Sequence, residues 1–107
     1  MVAYVYLLEE LPYQPGESGP WTKIGYSQNP PEWRLNANLK RGNPRTLRLS
    51  AVFEFDTEAE AFNAEQAAHA QFQSLSHERE WFTVSWVDVA AWLKNEGFRE
   101  RSATIQN

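Results

Sequence analysis

The chain has no cysteine. That excludes a disulfide framework and a thiolate metal site, and it suits a reducing compartment. No apolar run approaches the ~18 residues that a membrane-crossing helix requires, and the first residues lack the basic region and cleavage site of a signal peptide. The expectation is a soluble, cytoplasmic domain with no membrane partner. Basic residues are also scarce: ten Lys and Arg against 14 Asp and Glu leave a net charge of −4, the reverse of the basic footprint that usually marks nucleic-acid binding. The GxSxG, HExxH and P-loop patterns are all missing, so serine hydrolase, zincin and nucleotide-phosphate chemistry have no motif behind them. There is no internal repeat.

What is present is a small domain rich in aromatic residues. Its 107 residues, 14% of them aromatic, suffice for one hydrophobic core. The charges are segregated. Arg34, Lys40, Arg41, Arg45 and Arg48 occur in a segment without acids, whereas Glu54, Asp56, Glu58, Glu60 and Glu65 occur in one without bases. Each run also reads as ordinary solvated surface.

The order of elements is legible. The stretch VAYVYLLE is apolar on both faces and predicts a buried, central strand. A Pro- and Gly-rich connection leads to a second strand, WTKIGYS, at 21–27. In NPPE, Asn29 can cap a helix and Pro30 suits its first position, so a helix is expected to run to Arg41 and stop at Gly42. TLRLSAVFEF places Leu47, Leu49, Ala51, Phe53 and Phe55 at alternate positions, which predicts a third strand with one face in the core. Thr57 and Glu60 form a capping-box pattern before an Ala-rich helix over 58–75. EWFTV predicts a short strand or extended segment, and Ser85 with Asp88 opens a last helix ending at Gly97. The expected fold class is α+β: a three-stranded antiparallel sheet flanked by three or more helices, in a single domain of residues 1–97 followed by a polar, frayed tail of residues 98–107.

Two local patterns point to chemistry. In WTKIGYS, Lys23 shares a strand face with Gly25, while Tyr26 lies on the other. A glycine inside a strand marks a bulge or a close approach, so the lysine either meets a phosphate there or discourages strand pairing at an edge. In the long helix, Glu65 and His69 are four residues apart on one stripe, between Phe62 and Phe72. The stripe is either a functional pair or a boundary where both polar heads reach water. His77, in LSHERE, reads as a loop histidine, and Trp86 and Trp92 fit a helix face packed on the core.

The combination and order of YVY, KIGYS, PPEWRL, GNPRTLRL, EQAAH and REWF over residues 3–93 resemble a compact, phage-type branch of the GIY-YIG nuclease superfamily. The resemblance implies a divalent-metal-dependent endonuclease that hydrolyses nucleic-acid phosphodiesters, with DNA favoured over RNA. Tyr6 falls where the first catalytic tyrosine belongs, Arg34 at the helix arginine and Glu65 at the carboxylate for a single Mg²⁺ or Mn²⁺. Lys23 stands in place of the second tyrosine, as in some restriction-type members. Tyr4 replaces the first glycine of the GIY triplet, a departure that removes no catalytic group. His69 would orient the carboxylate, contact substrate or carry a proton. Lys40, Arg41, Arg45 and Arg48 join Arg34 as the expected phosphate contacts.

The chemistry is coherent in its own terms. A free tyrosine ionises near pH ~10, too high for an efficient base at neutral pH, and a neighbouring lysine cation favours the phenolate. An arginine fork grips phosphate oxygens, and one hard cation on one carboxylate neutralises phosphoryl charge. Two other classes fit the same residues: a non-catalytic nucleic-acid-binding module of this fold, and a protein-interaction domain that uses the acidic run. So short a module leaves little surface for specificity, which a protein partner or a homodimer would then supply.

Overall fold

A computed structural model describes residues 2–11, 21–31, 46–78 and 81–101. Among these residues, six antiparallel strands form one sheet: β1 (Ala3–Leu11), β2 (Trp21–Ser27), β3 (Thr46–Phe55), β4 (Ser76–Glu78), β5 (Trp81–Phe82) and β6 (Glu100–Arg101). Their spatial order is β4-β5-β2-β1-β3-β6. Among the described residues there are two α-helices, α1 (Glu58–Gln71) and α2 (Trp86–Asn95), with a short 3-10 turn at Gln73–Leu75. The expected sheet of three strands flanked by three or more helices is therefore corrected. β1, β2 and β3 do form its centre, but three short strands extend it on both sides. The helix expected from Pro30 to Arg41 lies, beyond Pro31, outside the described residues.

β1 is central because both of its faces are apolar. Ala3, Val5 and Leu7 join Ile24, Ala51, Phe53 and Phe55 on one face, where Ala61, Ala64 and Ala68 of α1 and Val89, Ala90 and Leu93 of α2 cover them. Tyr6 and Leu8 join Leu49 and Val52 in a separate buried cluster. Small alanines let α1 sit close to the sheet, and its stripe at 61, 64 and 68 follows the helical period.

β3 does not keep the single-face pattern read from its sequence. Leu7 lies opposite Ala51 but Leu8 lies opposite Leu49, so Ser50 is an extra residue, a β-bulge. The bulge reverses the side-chain parity: Ala51, Phe53 and Phe55 pack under the helices, whereas Leu49 joins Leu8 and Val52. Alternation in the sequence continues through the bulge and conceals it.

The caps behave as their residue types dictate. The Thr57 hydroxyl accepts from the Glu60 amide at 3.1 Å and opens α1. The Ser85 hydroxyl accepts from the Val87 amide at 3.2 Å and opens α2. After α2, Gly97 adopts φ 93°, a left-handed conformation suited to glycine. The chain then remains part of the fold past the expected boundary at Gly97. Phe98 packs edge-on against Phe55 at 5.2 Å between centroids, and β6 pairs with Val52 and Phe53. No helix of the described residues is long and apolar enough to cross a membrane.

Candidate functional site

β1 and β2 pair with Tyr6 opposite Gly25 and Leu8 opposite Lys23. Directly paired residues of an antiparallel ladder share a face, and so do diagonal ones, whose Cα atoms lie roughly 7–8 Å apart. Tyr6, Gly25 and Lys23 are thus neighbours on one face. The glycine is required there: a Cβ on Gly25 would come within 2.6 Å of the Tyr6 hydroxyl oxygen and collide with the ring carbon that bears it. The close approach expected at Gly25 is the tyrosine ring itself. Tyr6 is 1% exposed and Lys23 is half-buried. Tyr26 is on the opposite face, where it packs against the helix-covered core.

α1 packs across β1, β2 and β3, on the sheet face that holds Ile24. β5 pairs only with Thr22 and Lys23, so the length from Ile24 to Ser27 has no strand beyond it among the described residues. One stripe of α1 is anchored along this edge. The Gln28 amide donates to Glu58 at 2.9 Å, Phe62 meets Tyr26 edge-on at 6.0 Å, and His69 Nε2 bonds the Ile24 carbonyl at 2.9 Å. Glu65 lies between Phe62 and His69 on that stripe. Glu65 is buried at 7% exposure, and its Oε1 accepts from the Gln66 amide at 3.1 Å.

A carbonyl only accepts, so Nε2 of His69 must carry the proton in this bond. In the neutral ring, Nδ1 then keeps the lone pair. His69 also meets Phe82 edge-on at 5.1 Å. His69 is thus held by the β2 backbone, and Gln66 donates to the Glu65 carboxylate.

The remaining expected residues divide. Arg34, Lys40, Arg41 and Arg45 lie outside the described residues. Arg48 donates from Nη2 and Nε to one oxygen of Glu9, at 2.6 Å and 3.1 Å, so its charge is paired across the strands. His77, expected in a loop, falls in β4.

Among the described residues, no group of three or more His, Asp or Glu is placed to hold a metal ion. Glu65 is the buried carboxylate among the described residues. That fits a hard divalent ion which keeps waters and phosphate oxygens in most of its positions, and it does not fit an ion caged by protein ligands.

Beside His69 is a cavity of about 330 Å³ lined by Gln66, His69, Ala70, Gln73, Ser76 and Phe82. Motif and charge patterns in the sequence do not single out Gln66, Gln73 or Ser76. The signal that could have found the first two is the helical spacing of Gln66, His69 and Gln73, three uncharged or weakly charged polar residues on one stripe.

No curated protein and no solved structure matches the chain. Residues 3–96, from the first residue of β1 to the residue that closes α2, match the model of the T5orf172 domain. The chain belongs to the T5orf172 domain family, a phage-associated, nuclease-like and nucleic-acid-related domain.

Proposed function

We propose that this domain is a divalent-metal-dependent endonuclease of GIY-YIG type that hydrolyses nucleic-acid phosphodiesters, DNA in preference to RNA. The observation that carries this reading is the Tyr6 ring seated on Gly25 with Lys23 on the same face; Glu65 contributes a buried carboxylate from α1, which packs on the other face of the sheet. A phenol and a cation on one face of the sheet, with a buried carboxylate on the helix that packs on the other face, are the kinds of group that phosphodiester hydrolysis draws on.

In this proposal Tyr6 is the general base, and Lys23 favours its phenolate by charge. Arg34 grips the phosphate, and Glu65 holds Mg²⁺ or Mn²⁺. A bound divalent ion would supply neutralisation of phosphoryl charge and support for the departing oxygen. His69, fixed by the Ile24 carbonyl, offers Nδ1 as an acceptor to substrate.

The test is cleavage of a plasmid or oligonucleotide with Mg²⁺ or Mn²⁺ by Glu65→Gln, Tyr6→Phe and Lys23→Ala. Glutamine keeps the shape of Glu65 and loses its charge, so cleavage should nearly vanish while metal-free binding persists. Tyr6→Phe should cost roughly 10²- to 10⁴-fold, a typical range for loss of an acid or base. The Lys23→Ala deficit should be partly relieved at raised pH, where an unassisted tyrosine still ionises. Tyr6 is buried, so a purely structural role predicts a less stable Tyr6→Phe protein with undiminished turnover, and that result would remove it from catalysis. Equal cleavage by Glu65→Gln and wild type would refute the metal assignment.

A further inference from the structure

The cavity beside His69 has a chemical character of its own. Among the described residues, its lining contributes no Asp, Glu, Lys or Arg. It combines two rings, His69 and Phe82, with two amides and a hydroxyl from Gln66, Gln73 and Ser76. The imidazole is held edge-on to Phe82 and tied to the Ile24 carbonyl through Nε2, so its plane is set before any ligand arrives. The volume, about 330 Å³, is at the lower end of small-molecule pockets.

A flat heteroaromatic ligand with donors and acceptors on its edge matches this lining. Bases stack on aromatic side chains, and a glutamine amide pairs donor and acceptor with a base edge, most favourably adenine. Gln66 links the cavity to the candidate site, since it lines the cavity and donates to Glu65. We infer that the cavity lined by Gln66, His69, Gln73, Ser76 and Phe82 receives one unpaired nucleobase of the substrate, next to the phosphate addressed at Glu65. The inference rests on the nucleic-acid reading above. It adds a substrate class, strands with an unpaired base, and it makes Gln73 and Ser76 specificity-determining residues.

The experiment uses the full chain, metal-free with a chelator, and single-stranded oligonucleotides that differ at one position: adenine, its fluorescent analogue 2-aminopurine, or an abasic site. Wild type should quench 2-aminopurine and bind the abasic strand roughly tenfold more weakly, within the range that one stacked base contributes. Gln73 and Ser76 are both exposed, so Gln73→Ala with Ser76→Ala should fold normally, lose the quench and bind both strands alike. The salt dependence of binding should not change, because every phosphate-binding side chain is kept. Binding that is indifferent to the abasic site, or a quench unchanged in the double variant, would overturn the base pocket and leave the nuclease reading standing. Failure of every oligonucleotide to bind at low salt would overturn both. Base-dependent binding without cleavage under any divalent ion would support the pocket and refute only the enzyme.

Discussion

Gly25 is the residue on which the candidate site turns, and its requirement is steric. The backbone there is ordinary strand, but the Tyr6 ring occupies the space where a side chain would be. Adding one methyl to Gly25 either displaces the phenol or strains the β1–β2 ladder, and overpacking of this kind costs about 1–3 kcal/mol. Gly25→Ala should therefore lower stability in denaturant unfolding, and most of the loss should disappear in a Tyr6→Leu background. An equal cost in both backgrounds would show that something other than the phenol demands glycine. The sequence exposes part of this site. Alternation alone puts Lys23 with Gly25 and Tyr26 opposite, because strand parity is local. It does not disclose that the ring of Tyr6 fills the opening, since that depends on the register between two strands separated by a connection. The same limit hides the partner of His69, a backbone carbonyl that no side-chain motif encodes.

Local chemistry fixes the ends of the elements, and this is why both described helices are legible in the sequence. Thr57, Ser85 and Gly97 each act within a few residues of themselves. Thr57→Ala should destabilise the domain by about 0.5–2 kcal/mol through the missing cap. Gly97→Ala should cost about 1–2 kcal/mol from backbone conformation, because nothing lies within 4 Å of the added Cβ. Urea unfolding measures both, and a neutral Gly97→Ala would mean that the turn relaxes out of φ 93°. Of the short strands, only β5 is legible, within the EWFTV stretch. β4 and β6 have three and two residues, too few to carry a period, and they exist because a neighbouring strand offers its edge. β5 is further secured from outside itself: the buried Thr22 of β2 donates to the Val84 carbonyl at 2.6 Å. The bulge at Ser50 is hidden because Ala51, Val52 and Phe53 are apolar at both parities, so the sequence on its own admits either register around it.

Across the whole molecule, the two charged segments differ in how far their charges are already committed. The acidic run is dispersed among internal tasks. Glu54 faces Arg101 at 3.7 Å, Glu58 accepts from Gln28, Glu60 belongs to the α1 cap and Glu65 is buried. In the basic run, Arg48 is paired with Glu9, whereas Arg41 and Arg45 lie in the stretch from Arg34 to Arg48 that contains no acid. With a net charge of −4, the protein as a whole repels a polyanion, so binding must come from local contacts and should weaken steeply with salt. Charge reversal at Arg41 and Arg45 should lower affinity and flatten the salt dependence, by about 0.9 in the log–log slope for each duplex phosphate that is no longer neutralised. Arg48→Ala should change the slope far less, because its charge is neutralised before nucleic acid arrives, and an exposed pair of this kind contributes only about 0–1 kcal/mol to stability. Titrations of duplex binding from low to moderate salt separate the three variants. A slope that flattens in Arg48→Ala and persists in the Arg41 and Arg45 reversals would move the interface to the β1–β3 strands and away from the segment that precedes them.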